Sequence, residues 1–500
     1  MTKKLSVLFA ASTAALFTTH SWADVRLPGL VGDHMVLQRD AKLTVWGWAA
    51  PGEKIRIQVL SQHITTRADR EGQWSASMGP FTAGGPYDMT VSGKNTVVLH
   101  DVLVGDVWLA SGQSNMEFPL KGSGEWKTGV YNAQAEVSTA SYPRVRLFKV
   151  HHKVTSTPAM DVAADGWMAV TPETVGNFSA VAYLFGREIH ERYRIPVGMI
   201  EADWGGTVAE AWMSEAGLKE FPEFRQSIDT VIRANETTAA ADPSGGPQPS
   251  ASSKSGSDPN RPTVLFNGMI DPLSRFRIKG VIWYQGEANA MDDRSAQYRR
   301  LFPALIEDWR SHWRYEVPFL FVQLAGYGHN EADPAEYSWA ELREAQSMAL
   351  ALPATGMATA IDIGDENDIH PKDKQDVAHR LVLAAAHVVY GDPVVDSGPT
   401  YQSMRIEGSR IRIRFSNIGS GLFIKDKYGY CRGFEIAARD GQFRWAQAQK
   451  DRDEVVVFND EVSQPAAVRY DWSNTPDGNV YNKEGLPAPP FRTDAPGTHP

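Results

Sequence analysis

The middle of the chain alternates between two textures. From about residue 105 to 391, strand-like runs are each followed by a helix-like run: "DVWLAS" precedes "VAYLFGREIHERYR", "IPVGMIEAD" precedes "TVAEAWMSEAGL", and "IKGVIWYQ" precedes "QYRRLFPALIEDWRSHWR". "VPFLFVQLAG" with "WAELREAQSMALAL", and "GMATAIDIGD" with "KQDVAHRLVLAAAHVVYG", continue the pattern. In the first helix-like run Val181, Leu184, Phe185 and Ile189 fall near helical spacing. Repeated strand–helix alternation is the pattern of a parallel sheet covered on both faces. Open sheets of this kind bind ligands beyond the carboxyl ends of their strands. The residues at those ends are therefore the ones that bear on function.

The flanks read differently. Residues 24–104 hold short alternating or β-branched runs, such as "EKIRIQVL" and "YDMTVSG", punctuated by "APGE", "REGQ" and "AGGP". That spacing predicts a small β-sandwich. β texture returns over 392–500 with "SMRIEGSRIRIRFS", "GFEIAA" and "EVVVFND", which predicts a second β domain. The expected organisation is thus a β-sandwich-like unit at 24–104, an α/β unit at 105–391 and a β-rich unit at 392–500. Within the α/β unit, 234–263 is rich in Ser, Pro, Gly and Ala and reads as a flexible surface loop.

The first 23 residues read as an export signal. "MTKK" supplies positive charge, "LSVLFAASTAALF" a short apolar stretch, and "SWA" a small-x-Ala cleavage site before Asp24. The apolar run is too short to span a bilayer comfortably, so the mature protein is expected to be free of the membrane, in the periplasm or secreted. A single cysteine, Cys431, rules out an intramolecular disulfide and a Cys-based zinc site. The net charge of −10 and the lack of a basic run exclude a nucleic-acid footprint. Nothing in the sequence fixes the oligomeric state.

Four strand ends in the α/β unit are unusually polar. "LASGQSNMEFP" (109–119) places Ser114 just beyond the first strand, in position to act as a nucleophile. Met116 stands where G-x-S-x-G would need its second glycine, so an α/β-hydrolase elbow is not supported. "DIGDENDIHPKDK" (362–374) follows the last strand and brings His370, a base able to swing over a serine at another strand's end. Asp368 is the nearest carboxylate in sequence, and Asp365 and Asp362 are also candidates to hold the imidazole tautomer. "EADWGGTVAEAW" ends a strand in Gly205 and Gly206, whose amides can meet a developing oxyanion. "WYQGEANA" ends another with Gln285, a neutral donor, beside Glu287 and Asn289.

The blocks "VWLASGQSNMEFPL", "EADWGGTVAEAW", "LFNGMIDPL", "VIWYQGEANA" and "DIHPKDK", in this order, resemble those of the sialate O-acetylesterase-like carbohydrate esterases of the SGNH-hydrolase superfamily. The resemblance runs from about "GDHMVLQRD" to "GLPAPPFRTD". It implies a flavodoxin-like α/β/α catalytic domain, no metal or other cofactor, and a Ser–His machine that removes acetyl groups from O-acetylated sugars. Carried across, Ser114 is the nucleophile and His370 the base. The Ser114 amide, a glycine of Gly205–Gly206 and Gln285 then form the oxyanion hole. The chain departs from the superfamily at the acid: D-x-x-H would place it at 367, which is Asn367, and Asp368 comes one residue later. Asp368, a more distant Asp, or a dyad without an acid all remain open.

A rival reading from another class is a non-catalytic carbohydrate-binding protein with a degenerate hydrolase core. The Ser–Gly–Gln–His set argues against it. The substrate is either O-acetylated sialic acid or an acetylated plant cell-wall glycan such as xyloglucan or xylan. A sialate carboxylate would call for Arg or Lys in the pocket, which sequence does not place.

Overall fold

The structure is a computed structural model and describes residues 24–122, 128–231, 258–291 and 294–494. The expected signal peptide (1–23) and most of the expected loop (234–257 of 234–263) lie outside the described residues.

The N-terminal β unit packs two layers. Strands Val36–Gln38, Lys54–Val59, Gln62–Arg67 and Gly84–Ser92 join the first half of a long strand, β1 (Thr96–Gly112), in one sheet. Leu43–Trp48 and Gln73–Met78 pair as a two-stranded ribbon. Lys54–Val59 shows why this works: its residues alternate exposed and buried, and Ile55, Ile57 and Val59 meet Val45, Trp46 and Trp74 in a common core.

β1 then changes partners. Residues Thr96–Val104 pair antiparallel with Gly84–Ser92, whereas Asp106–Gly112 run parallel to β4 (Val197–Asp203), and Trp108–Gly112 to β5 (Gly280–Tyr284). The expected division at 104/105 therefore falls inside one continuous strand. Beyond β5 lie β6 (Phe319–Gln323) and β7 (Thr355–Thr359); beyond β4 lie β2 (Tyr142–Val150) and β3 (Ala164–Val170). The order is β7–β6–β5–β1–β4–β2–β3, parallel except for β3 against β2. Without the β2–β3 pair, the remaining strands follow the flavodoxin-like order 2-1-3-4-5. The expected flavodoxin-like α/β/α architecture with flanking β units is the one observed. The switch point, where successive connections leave to opposite sides, is the carboxyl end of β1.

Helices cover the sheet in pairs. α1 (Ala180–Tyr193) packs on α4 (Lys374–Val388), and α2 (Ser295–Trp313) packs on α3 (Ser338–Met348). Ser179 caps α1 by accepting from the Ala182 amide at 3.2 Å, and Asp373 caps α4 through the Asp376 amide at 3.0 Å. One expected helix is corrected: "TVAEAWMSEAGL" forms only a 3₁₀ turn over Ala209–Trp212. Glu210 in that turn pairs with Arg294, and Trp212 sends its indole N–H to Thr207 Oγ1, so local side-chain anchors replace a longer helix.

The C-terminal β unit has its own core. Ile411, Ile413, Val455 and Val457 from one sheet meet Phe434, Ile436, Val468 and Tyr470 from another. Arg343 of α3 ties this unit to the sheet: its buried guanidinium donates to the carbonyls of Leu324, Ala325, Ser473 and Asn474 at 2.7–2.9 Å. Among the described residues no helix is long and apolar enough to cross a membrane.

Candidate active site

Three strand ends lie level at the switch point, because Gly112 is in register with Asp203 of β4 on one side and Tyr284 of β5 on the other. Gly112 has φ 137°, and a Cβ there would sit 2.1 Å from the Tyr284 carbonyl oxygen, so the chain leaves the sheet between its neighbours only because this residue is glycine. A single helical turn, Ser114–Glu117, follows. Ser114 is largely buried and lines a cleft of about 490 Å³ with Gln113, Glu117, His152, Trp204, Gly205, Gly206, Glu287, Ile369 and His370. Ser111 behaves differently: its hydroxyl donates to the Ala202 carbonyl at 2.5 Å, within the sheet.

The loop after β7 brings His370 across the fold. Its Nε2 is 2.9 Å from Ser114 Oγ, and its side chain is 11 % exposed. The loop is anchored by a residue the sequence did not single out. Asn115 Nδ2 donates to the Ile369 carbonyl at 2.9 Å and to Glu287 Oε1 at 2.6 Å, while Lys374 Nζ donates to Asn115 Oδ1 at 2.5 Å. This buried polar layer joins the serine turn, the end of β5 and the start of α4. Burial pushes the Glu287 carboxyl up from its ordinary range, against the opposing pull of the Asn115 hydrogen bond. The only sequence signal for it was the pair of polar strand ends "GQSNM" and "QGEAN", whose partnership across 172 residues is invisible in the chain.

The three candidate acids part company. Asp368 Oδ1 accepts from the His370 backbone amide at 2.9 Å and lies 3.7 Å from His370 Nδ1, beyond hydrogen-bond length but close enough for charge to act. Asp365 accepts from the Asn367 amide at 2.9 Å. Asp362 is held by Arg380 at 2.6 and 2.9 Å and by the Tyr481 hydroxyl at 3.2 Å.

Two of the expected oxyanion donors already have partners. Gln285 is fully buried outside the cleft: its amide nitrogen donates to the Thr207 carbonyl and Asn289 Oδ1, and its oxygen accepts from Tyr298. Both of its N–H groups are thus spent on holding the β5 end to the Thr207 turn. The Gly205 amide donates to Glu117 Oε2 at 2.6 Å and is likewise taken. What Gly205 supplies is room, since a Cβ there would stand 3.3 Å from Ser114 Cβ. The Gly206 amide has no partner among the described residues, and the Ser114 amide, first in its helical turn, has no intrahelical acceptor. Gln113, which sequence reading passed over, lines the cleft with its Oε1 held by the Gly286 and Ala288 amides. That leaves its Nε2 as a further donor.

One wall carries charge. His152 stacks on Trp204 with centroids 4.0 Å apart and stands 3.5 Å from Glu117 Oε1. Burial pulls the His152 imidazole down, opposed by Glu117. Glu117, His152 and Asp203 are the one group of three such side chains, among the described residues, close enough to share a cation. Their negative charge is already faced by Lys149, which pairs with Glu201 at 2.5 Å and is also attracted to Asp203 and Glu117.

A serine hydroxyl bonded to an imidazole, with unspent amides beside it, is the arrangement that acyl transfer requires. Comparison with known proteins agrees. Residues 256–387 match the family described as "Carbohydrate esterase, sialic acid-specific acetylesterase". The chain is 31 % identical to the sialate O-acetylesterase of Mus musculus, over 93 % of this chain and 94 % of that protein. It is 29 % identical to the sialate O-acetylesterase of Homo sapiens, over 94 % of each. A crystal structure of a carbohydrate acetylesterase from Xanthomonas citri superposes with a TM-score of 0.83 at 40 % identity, covering 94 % of this chain and all of that one. The rival of a binding protein with a dead core therefore falls away: the chain is a carboxylic ester hydrolase acting on acetylated carbohydrate, and it belongs to the sialate O-acetylesterase family.

Proposed function

We propose that Ser114 and His370 carry out the deacetylation through an acetyl-enzyme. His370 Nε2 takes the Ser114 proton as Oγ attacks the acetyl carbonyl carbon. The carbonyl oxygen becomes an oxyanion, met by the amides of Ser114 and Gly206 and by Gln113 Nε2. As the intermediate collapses, the C–O bond to the sugar breaks and His370 returns the proton to the leaving sugar oxygen. Water, deprotonated by the same imidazole, then releases acetate and restores Ser114. The observation that carries this reading is the 2.9 Å contact between Ser114 Oγ and His370 Nε2.

The cleft favours a neutral O-acetylated sugar over an O-acetylated sialic acid. Its described lining includes the carboxyls of Glu117 and Glu287 and no Arg or Lys, so a substrate carboxylate would find no countercharge there. The stacked Trp204–His152 pair offers an aromatic edge at the mouth, of the kind that sugar rings pack on. Residues 1–23 support export, so we read the enzyme as acting in the periplasm or outside the cell.

Acetate release tests both parts. Ser114→Ala should lower kcat by about 10⁴–10⁶-fold with an unchanged melting temperature. Retention of near-normal activity would overturn the nucleophile. Acetylated xylo-oligosaccharide should be turned over with a higher kcat/KM than O-acetyl sialic acid, and the reverse order would overturn the substrate reading.

A further inference from the structure

A second, larger cavity lies away from Ser114, where the N-terminal ribbon faces the α/β unit. Its volume is about 1140 Å³, at or above the upper end of small-ligand pockets, and it shares no lining residue with the serine cleft. One wall is the ribbon of Leu43–Trp48 and Gln73–Met78; the other is formed by residues 271–277 and by 311–315 at the end of α2. Trp46 and Phe276 meet edge-to-face across the floor, with centroids 6.4 Å apart.

The walls are cationic in a protein whose net charge is −10. Lys42, Arg67, Arg275, Arg277 and Arg314 line the cavity, with Asp69 and Asp271 as the only carboxylates among its lining residues. Both acids are engaged: Asp69 accepts from the Glu71 and Gln73 amides, and Asp271 faces His312 Nδ1 at 3.4 Å. The hydrogen bond to Asp271 raises the His312 imidazole above its ordinary range, against the opposing pull of burial. None of the five cations forms an ion pair among the described residues. Arg67 donates to the Gly52 carbonyl, and Arg277 lies over the Tyr315 ring. Several arginines elsewhere are spent on carboxylates, as Arg412 is on Glu407, Asp451 and Glu454, and Arg469 on Glu336 and Asp494. The helix dipole accounts for a cation at the end of α2, hence for Arg314 and His312. It does not account for Lys42, Arg67, Arg275 or Arg277, which come from other elements.

We propose that this cavity is a binding site for a glycan bearing carboxylates on several sugar residues, separate from the site of deacetylation. Unpaired guanidinium groups recognise carboxylates through charge-assisted hydrogen bonds. Thr44, Thr66, Ser75 and Ser274 place hydroxyls and Gln73 an amide among the cations, a mixture suited to sugar hydroxyls between acidic groups. Several cations spread along both walls fit a repeating acid better than a single terminal one. The choice of a glycan over other polyanions rests on the carbohydrate-esterase reading of the Ser114 site. Such a site would hold an acidic polymer while its neutral acetylated residues are processed at Ser114. The segment 151–163 links the two places, since His152 lines the serine cleft and Pro158, Ala159 and Met160 line the cavity.

Isothermal titration calorimetry of the full chain tests this with four probes: a short galacturonate oligomer, sialyllactose, a neutral cello-oligosaccharide of matched length, and a single-stranded oligonucleotide. The galacturonate oligomer should bind most tightly and weaken as salt rises. The neutral oligomer should not bind. Sialyllactose should bind more weakly, and tighter binding of it would overturn the repeating-acid assignment. The double variant Arg275→Glu/Arg314→Glu should lose galacturonate affinity by about tenfold or more, while hydrolysis of 4-nitrophenyl acetate stays at the wild-type rate. Failure of the wild type to bind, equal affinity for the neutral oligomer, or unchanged affinity in the variant would overturn the proposal. So would tighter binding of a single-stranded oligonucleotide, which would mark a general polyanion surface. Loss of the esterase reading shows separately, as absent acetate release by the wild type.

Discussion

At the scale of single residues, the proposed Ser114–His370 pair turns on Asp368. Its carboxylate holds the His370 backbone amide at 2.9 Å and stands 3.7 Å from Nδ1, with 41 % of the side chain exposed. A charge at that distance is worth about 1 kcal/mol in water and about 4 kcal/mol at an effective dielectric of 20, and partial exposure places Asp368 between the two. Asn can still accept from the His370 amide, so Asp368→Asn removes charge while keeping the turn. We expect kcat to fall by about 10–100-fold. A change within about twofold would mean a dyad, and a loss near 10⁴ would mean a full triad member. Asp362→Asn serves as the control, because its carboxylate is committed to Arg380 and Tyr481. Ser111→Ala should keep most activity, since Ser111 bonds within the sheet.

At the scale of elements, the site depends on how β1 ends. The strand is buried along its second half, then passes through Gly112 into the turn that carries Ser114. The positive φ at Gly112 and the Tyr284 carbonyl 2.1 Å from any Cβ there leave no space for a side chain. Gly112→Ala should therefore destabilise the fold by more than the roughly 1 kcal/mol of an ordinary glycine substitution, and should lower activity by shifting the serine turn. Thermal unfolding and acetate release on the same sample check it. A variant with wild-type melting temperature and wild-type rate would show that the strand end relaxes without moving Ser114.

At the scale of the whole molecule, the three units are joined by different means. The N-terminal unit shares β1 with the central sheet, so its attachment is covalent and hydrogen-bonded along one strand. The C-terminal unit keeps a separate core and is held through Arg343, whose donors satisfy four carbonyls from both sides of the junction. Arg343→Met retains much of the volume and takes the donor from the Leu324 and Ser473 carbonyls, while Ala325 keeps the Trp339 indole N–H and Asn474 keeps the Tyr327 amide. Leaving a buried carbonyl without its donor costs about 1–3 kcal/mol for each such group. Calorimetric unfolding should show a lower midpoint, with the C-terminal unit separating as an earlier transition. A single transition at the wild-type temperature would refute the clamp.

The sequence alone determined the features that are local in the chain. The strand–helix alternation dictated the layered sheet, because hydrophobic period is written within a dozen residues. The polar strand ends pointed to Ser114 and His370, because a parallel sheet gathers its carboxyl ends on one edge. β2 and β3 went unread, as an antiparallel pair added at the sheet edge outside the strand–helix rhythm. Tertiary structure alone decided which polar groups remain unspent. Gln285 and Gly205 were sound donors by residue type, yet Asn289, Thr207 and Glu117 take their hydrogens, while Gly206 and Gln113 keep theirs. Asn115 reaches Ile369 across 254 residues, and no local pattern encodes that contact. The physical reason is that a hydrogen-bond donor has finite capacity. Whether a group can serve chemistry depends on what already holds it, and in this chain those partners come from strands and loops that only folding brings together.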